Sequence, residues 1–164
     1  MGVKKLLLVG LLVLTASACG SSKSSGSTQA LQTVADKFAI AQIEVNWHKA
    51  SSTKNVNLMM SLWAPDATFN IGTETLTGKT QIRNFFVHKA APFQPQNHWV
   101  SETPEYKLRE TVNGDKGTLY FECHYVDAKT GKVVSVVGAD QEVAKIKGKW
   151  LITSSAGATP KLSP

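Results

Sequence analysis

Four histidines and two cysteines are the side chains of this 164-residue sequence best suited to chemistry near neutral pH. An imidazole gains or loses its proton there, and a thiolate is both nucleophile and metal ligand. Neither type falls in a site-like spacing. No H-x-x-x-H and no C-x-x-C occurs, so His48, His88, His98 and His124 imply no metal site. The Gly-rich loops that cradle nucleotides are missing too, and no cofactor is expected. His48 closes an apolar helical row and His88 stands near the end of another helical stretch, where the helix dipole favours a cation. Between Gly117 and Asp127, Leu119, Phe121, Cys123 and Tyr125 share one strand face; Tyr120, Glu122 and His124 share the other. Parity makes Cys123 a buried small hydrophobe and sends His124 to an outer, subunit-contacting face. That sheet face, with Tyr120 and Glu122, is the candidate surface for a homodimer.

Cys19 has a different context. Lys4 and Lys5 precede an apolar run from Leu6 to Leu14 broken only by Gly10, and Ala16-Ser17-Ala18 leads into the cysteine. Residues 1–18 read as a secretion signal, and the run is too short to span a bilayer. Ala16-Ser17-Ala18-Cys19 resembles the lipobox of bacterial lipoproteins, which implies a diacylglycerol thioether on Cys19. Ala16 stands where that pattern prefers Leu, and Ala-x-Ala also suits ordinary signal peptidase. Two acyl chains anchor a protein stably, at about 0.8 kcal/mol per buried CH₂. The expectation is an exported, lipid-anchored protein of the cell membrane or outer membrane, on the periplasmic or extracellular face. Residues 19–28, rich in Gly and Ser, read as a flexible tether.

With Cys19 consumed, one thiol remains and no internal disulfide can form, so the core alone must hold the fold. A composition of 42% hydrophobic and 18% charged residues suits one globular domain, placed at 29–157 and followed by a polar tail at 158–164. Two units of the formal charge of +6 come from Lys4 and Lys5. The other basic residues are scattered, and Lys145, Lys147 and Lys149 mark a solvated hairpin rim, so nucleic acid is not an expected partner.

A long helix is predicted from Gln29, with Leu31, Val34, Phe38, Ala41 and Val45 on one side and Ile40, Ile43 and Trp47 on the other. Apolarity on two sides predicts a helix that is wrapped. Asn55 caps a second helix carrying Leu58, Met59, Leu62 and Trp63, ended by Pro65-Asp66. Two short strands follow at 67–71 and 75–77, then a third helix at 79–91 with Ile82, Phe85 and Phe86. Strands at 98–110, 117–127, 132–145 and 150–155, joined by Gly-containing turns, complete an antiparallel meander. Helices segregated to one side of such a sheet define an α+β fold.

Leu62-Trp63-Ala64-Pro65-Asp66-Ala67-Thr68-Phe69, Gly78 before the third helix, Asn97-His98-Trp99-Val100 and the closing Lys149-Trp150-Leu151-Ile152 are similar, in order, to the SnoaL-like branch of the nuclear-transport-factor-two-like superfamily. The likeness spans residues 30 to 156. It implies a cone-shaped α+β barrel, a curved antiparallel sheet around the long N-terminal helix with two further helices and a pocket at the open end. Members include cyclases, a dehydratase, an isomerase and domains without catalytic activity, so the fold does not fix a reaction.

The resemblance makes His98 the candidate general acid or base, because dehydratase-like members carry a pocket-facing histidine at the start of that strand. Those members also place a carboxylate in the break after the first helix. Here that place falls on Ser52, with Ser51 and Thr53 beside it and no acid among them. A serine cannot orient the imidazole as a carboxylate does. Trp47, Trp63, Phe69, Phe85 and Trp99 are the expected ligand-pocket residues. The leading expectation is non-catalytic binding of a small apolar molecule or an envelope protein. The alternative is a cyclase, dehydratase or isomerase using His98. A carboxylate entering the pocket from Glu44, Glu74, Glu102 or Asp140 would favour the alternative; an apolar cavity would favour the first.

Overall fold

The computed structural model describes residues 24–161; the expected secretion signal at 1–18 and Cys19 lie outside the described residues. Helix α1 (Ser24–Ser52) is 29 residues long, about 44 Å at 1.5 Å per residue, and begins earlier than Gln29, inside the expected tether. Ile40, Ile43, Trp47 and Ala50 bury one face of it in the core. The other apolar row behaves differently: Leu31, Val34, Phe38 and Val45 are exposed, Phe38 by 67%. The helix is therefore covered on one side, not wrapped. Periodicity revealed both stripes but not which had an element opposite it.

Asn55 caps α2 (Val56–Met60), its side chain accepting Leu58 N–H at 2.9 Å. This helix is shorter than predicted. Trp63 and Pro65 belong to β1 (Trp63–Ile71), which runs parallel to the last strand. Pro65 is tolerated because the register with that strand shifts between Trp63 and Thr68, where no ladder bond is required of it. β2 (Glu74–Thr77) pairs with β1, and α3 (Gly78–His88) packs back across that hairpin.

The predicted strand at 98–110 is two strands, β3 (Trp99–Glu102) and β4 (Leu108–Asn113), which pair with successive stretches of β5 (Lys116–Asp127). Between them Pro104 leads into a 3-10 turn at Glu105–Lys107. Proline lacks the N–H a continuous ladder needs. β6 (Val133–Ile146) and β7 (Lys149–Ala158) complete the sheet, in the order β2-β1-β7-β6-β5-β3 with β4 also on β5. Lys147 and Gly148, both at positive φ, make the tight turn between them. The result is the expected α+β cone, with a curved, unclosed seven-stranded sheet. Its β1–β7 pairing is parallel, so the sheet is mixed where an antiparallel one was expected.

Alternation along β5 is as predicted: Leu119, Phe121, Cys123 and Tyr125 are buried on the inner face. The outer face is not bare. Glu122 is fully buried and Tyr120 nearly so, beneath the 3-10 turn and the C-terminal tail. Lys107 Nζ lies 2.9 Å from Glu122 Oε2, and Tyr120 Oη donates to Glu122 Oε1 at 2.8 Å. The backbone N–H of Lys161 reaches Tyr120 Oη and Glu122 Oε1 at 2.7 and 2.9 Å, and its ammonium pairs with Asp140.

Candidate functional site: an aromatic cavity in the cone

The wide end of the cone encloses a cavity of about 350 Å³. α1 contributes Trp47, β1 Phe69 and Ile71, and α3 Phe85 and Phe86; the segment after α3 adds Ala90 to Phe93. The sheet supplies Trp99 from β3, Cys123 and Tyr125 from β5, Val137 to Ala139 from β6 and Ser155 from β7. Rings interlock through the wall: Trp47 meets Phe86 edge-on at 5.7 Å between centroids, Phe69 meets Phe85 at 5.6 Å and Trp99 meets Tyr125 at 5.9 Å. Lys54, in the break after α1, fixes one rim. Its ammonium donates to the carbonyls of Pro92 and Asn97 at 3.0 and 2.6 Å. Lys89 stands at the mouth and pairs with Glu74 at 3.2 Å, both half exposed.

Of the expected pocket residues, Trp47, Phe69, Phe85 and Trp99 are brought together on the cavity wall. Trp63 is fully buried beside them, 5.2 Å from Phe69 between ring centroids, but does not line the space. His98 is exposed, immediately before β3, and is not among the lining residues. Its carbonyl accepts Ala128 N–H at 2.8 Å, and its ring lies near Asp127, whose carboxyl is held low chiefly by the Thr130 N–H and in small part by His98. Neither Glu44, Glu74, Glu102 nor Asp140 lines the cavity.

The buried imidazole is another one. His48, which sequence reading treated as a helix-end residue, sits between α1 and β3 and is 7% exposed. Thr103 Oγ1 donates to the Glu122 carbonyl at 3.0 Å, so it accepts from His48 Nε2–H at 2.6 Å. Glu44 Oε1 is 3.1 Å from the same nitrogen. In the neutral ring Nδ1 is then the acceptor for Ser101 Oγ–H, 2.5 Å away. Ser52, at the place where the dehydratase-like pattern has its acid, accepts the Ser101 N–H at 2.8 Å. These residues tie α1 to β3. The four-residue step from Glu44 to His48 was the one sequence signal for them.

Sequence reading also missed Tyr125, Cys123, Phe93 and Ser155 as wall residues, though parity had turned the first two inward. Burial pushes the Cys123 thiol up to about 12, helped by the negative charge of Glu44. Tyr125 is raised as well, first by burial and then by Cys123 beside it. Neither ionises at neutral pH. Among the described residues Ser155 Oγ is buried without a hydrogen-bond partner, as are both amide atoms of Gln141, which lies opposite it in the β6–β7 register.

The cone and its pocket are those of a defined class. Residues 32–156 match the family model of the SnoaL-like domain, and the chain belongs to that family. Among curated protein sequences none matches it. An NTF2-like protein with a cystatin-like fold from Novosphingobium aromaticivorans superimposes with a TM-score of 0.73 at 14% identity, over 88% of this chain and 94% of that one. A protein of the NTF2-like family from Streptomyces avermitilis, provisionally described as a dehydratase, gives 0.61 at 15% identity over 79% and 98%. One from Shewanella frigidimarina, provisionally described as a ketosteroid isomerase, gives 0.59 at 16% over 73% and 94%. At such identities the likeness establishes the fold alone.

Proposed function

We propose that this SnoaL-like domain binds a small apolar molecule in its cone without transforming it, and that Cys19 carries the lipid that holds the domain at the envelope membrane. One observation carries the binding reading: the cavity wall is mostly aromatic and aliphatic, with neither a carboxylate nor an imidazole among its lining residues, while its Tyr125 and Cys123 are kept protonated by burial and its Lys89 is paired with Glu74. General acid–base chemistry needs a group that exchanges a proton near the working pH within hydrogen-bond reach of the substrate. An apolar concavity with a few polar atoms is the usual form of a small-molecule site. The anchor reading rests on Ala16-Ser17-Ala18-Cys19 behind its apolar run.

Mass spectrometry of molecules retained by protein purified from its native envelope tests the binding. A bound apolar compound is expected, and Phe85→Arg, which sets a charge in the wall, should release it. Protein that carries nothing, or a compound retained equally by the variant, would sink the reading. For the anchor, metabolic labelling with an alkynyl fatty acid should mark the parent and not Cys19→Ser.

The descriptions of the dehydratase-like and isomerase-like neighbours favour a second reading, an enzyme of the cyclase, dehydratase or isomerase type with His98 as acid or base. Exposed His98 would then have to meet the substrate at the rim. Turnover of an identified substrate at the parent rate by His98→Ala excludes it.

A further inference from the structure

The outward row of α1 has no element over it among the described residues. Leu31, Val34 and Phe38 are 71%, 66% and 67% exposed, and Val45 further along is 49% exposed. Steps of three, four and seven set them on one face, opposite the face that Ile40, Ile43 and Trp47 bury in the core. A contiguous apolar patch left in water marks a surface that meets something. What borders the row is basic. Phe38 shares a shallow groove with Gly148 and Lys149 of the β6–β7 turn, and Lys147 and Lys149 are exposed there. The Lys149 ammonium keeps its charge while donating to the Ser61 carbonyl at 3.1 Å. Lys37 lies on the other flank, 4.0 Å from Glu110. Between Cys19 and Ile43 the sequence carries Lys23, Lys37 and one acid, Asp36, which is turned inward and held by Lys145 and Trp150.

The chain ahead of the helix bears on what meets this row. Cys19 stands five positions before Ser24, and five residues fully extended reach about 18 Å. From the helix start Leu31 is about 10 Å along the axis and Phe38 about 21 Å. A lipid on Cys19 therefore holds the first turns of α1 close to the headgroups. Among the described residues no helix is long and apolar enough to cross a membrane, so α1 would lie along the interface and not through it.

We propose that Leu31, Val34 and Phe38 dock α1 on an anionic lipid bilayer, with Lys37, Lys147 and Lys149 against its headgroups. The inference rests on the anchor reading of Cys19 above, which brings the row to the surface. It adds a second attachment, which fixes the side of the cone that faces the membrane, where a lipid on a short linker would leave the domain free to swing. A hydrocarbon chain combined with a basic apolar surface is the kind of paired signal that holds a protein at a bilayer. A second copy of this chain suits the row less well. Pressed together on this face, two copies would bring Lys37, Lys147 and Lys149 of each against those of the other, like charge against like. Anionic lipid answers both the apolar row and its basic border.

The chain from residue 19 onward with Cys19→Ser, which carries no lipid, tests the face by itself. In flotation with vesicles of equal parts phosphatidylglycerol and phosphatidylcholine, this chain is expected to bind. Leu31→Ser combined with Phe38→Ser should weaken binding by at least about tenfold, and Lys147→Gln by about fivefold. Vesicles of phosphatidylcholine alone should bind the parent more weakly. The substituted side chains are exposed, so thermal melts should match the parent; if the double variant melts early, Val34→Ser takes its place. No binding to the mixed vesicles, or equal binding by parent and double variant, overturns the proposal. So does sedimentation that shows a dimer in the parent and a monomer in Phe38→Ser, since the row would then belong to a second copy. The anchor is read separately by the fatty-acid label. If Cys19 takes no label while the vesicles are bound through the row, the anchor reading falls and the docking face stands; if Cys19 is labelled and the vesicles are not bound, the docking face falls alone.

Discussion

Trp150 on β7 donates its indole N–H to Asp36 on α1 at 2.9 Å, joining two residues 114 positions apart in the sequence. Lys145 Nζ meets the same carboxylate oxygen at 2.7 Å, and Gln32 reaches the other at 3.1 Å. Asp36 marks where the cone takes hold of α1, since the helix before it is largely exposed.

This cluster gives stability a defined pH dependence. The Lys145 ammonium, then the Trp150 and Gln32 donors, hold the Asp36 carboxyl at about 2 against an ordinary value of 3.8. A group depressed on folding contributes fully above its unfolded value and loses that contribution as pH falls through its folded one. Asp36→Asn is therefore expected to lower Tm at pH 7 by several degrees. The gap to the parent should close between pH 4 and pH 2, read by thermal melts across that range.

Gly117 begins β5 where α1, β4 and β6 converge. A Cβ there would stand 2.3 Å from the Thr111 carbonyl oxygen and 3.0 Å from Ile40 Cδ1. Backbone cannot yield as a flexible side chain can. Gly117→Ala should cost about 2 kcal/mol or more in urea unfolding, whereas Gly157→Ala, with open space at that position, should cost less than about 1 kcal/mol.

The pair beneath the tail is buried on both sides. Lys107→Met, leaving Glu122 charged in a site with no solvent exposure, is expected to cost about 3 to 5 kcal/mol. Adding Glu122→Gln should recover at least half of that loss. An additive double-variant cycle would show that the two do not act as a pair.

Cys123 is free, buried and protonated at neutral pH. In a Cys19→Ser background, its reaction with a disulfide reagent at pH 8 should be at least about a hundredfold slower in the folded protein than in urea. Because its side chain lines the cavity, a bound ligand should slow the reaction further.

Much of this was legible in the chain. Strand parity fixed which side of β5 faces inward, Asn55 announced α2, and the ordered motifs announced the cone. Other features depend on what lies across from a residue, which spacing does not record. Leu31, Val34 and Phe38 form as regular a row as Ile40, Ile43 and Trp47, yet only the second row meets the sheet. Pro65 looked like a helix terminator because a proline in a strand needs a register shift to excuse it. His48 looked unremarkable because Ser101 and Thr103, which claim its two nitrogens, are more than fifty residues away. Ser155 carried no signal at all: a serine in a strand is ordinary until its partners are counted.

The last described residue bears on how the protein can be handled. Lys161 supplies a backbone donor to a carboxylate that solvent never reaches. Trimming the chain after Ala158 would withdraw that donor and bare the Tyr120 ring that its ammonium overlies. An affinity handle fused after Pro164 would begin four positions beyond it. Handles for purification or surface tethering therefore belong between Cys19 and the exposed first turns of the long helix.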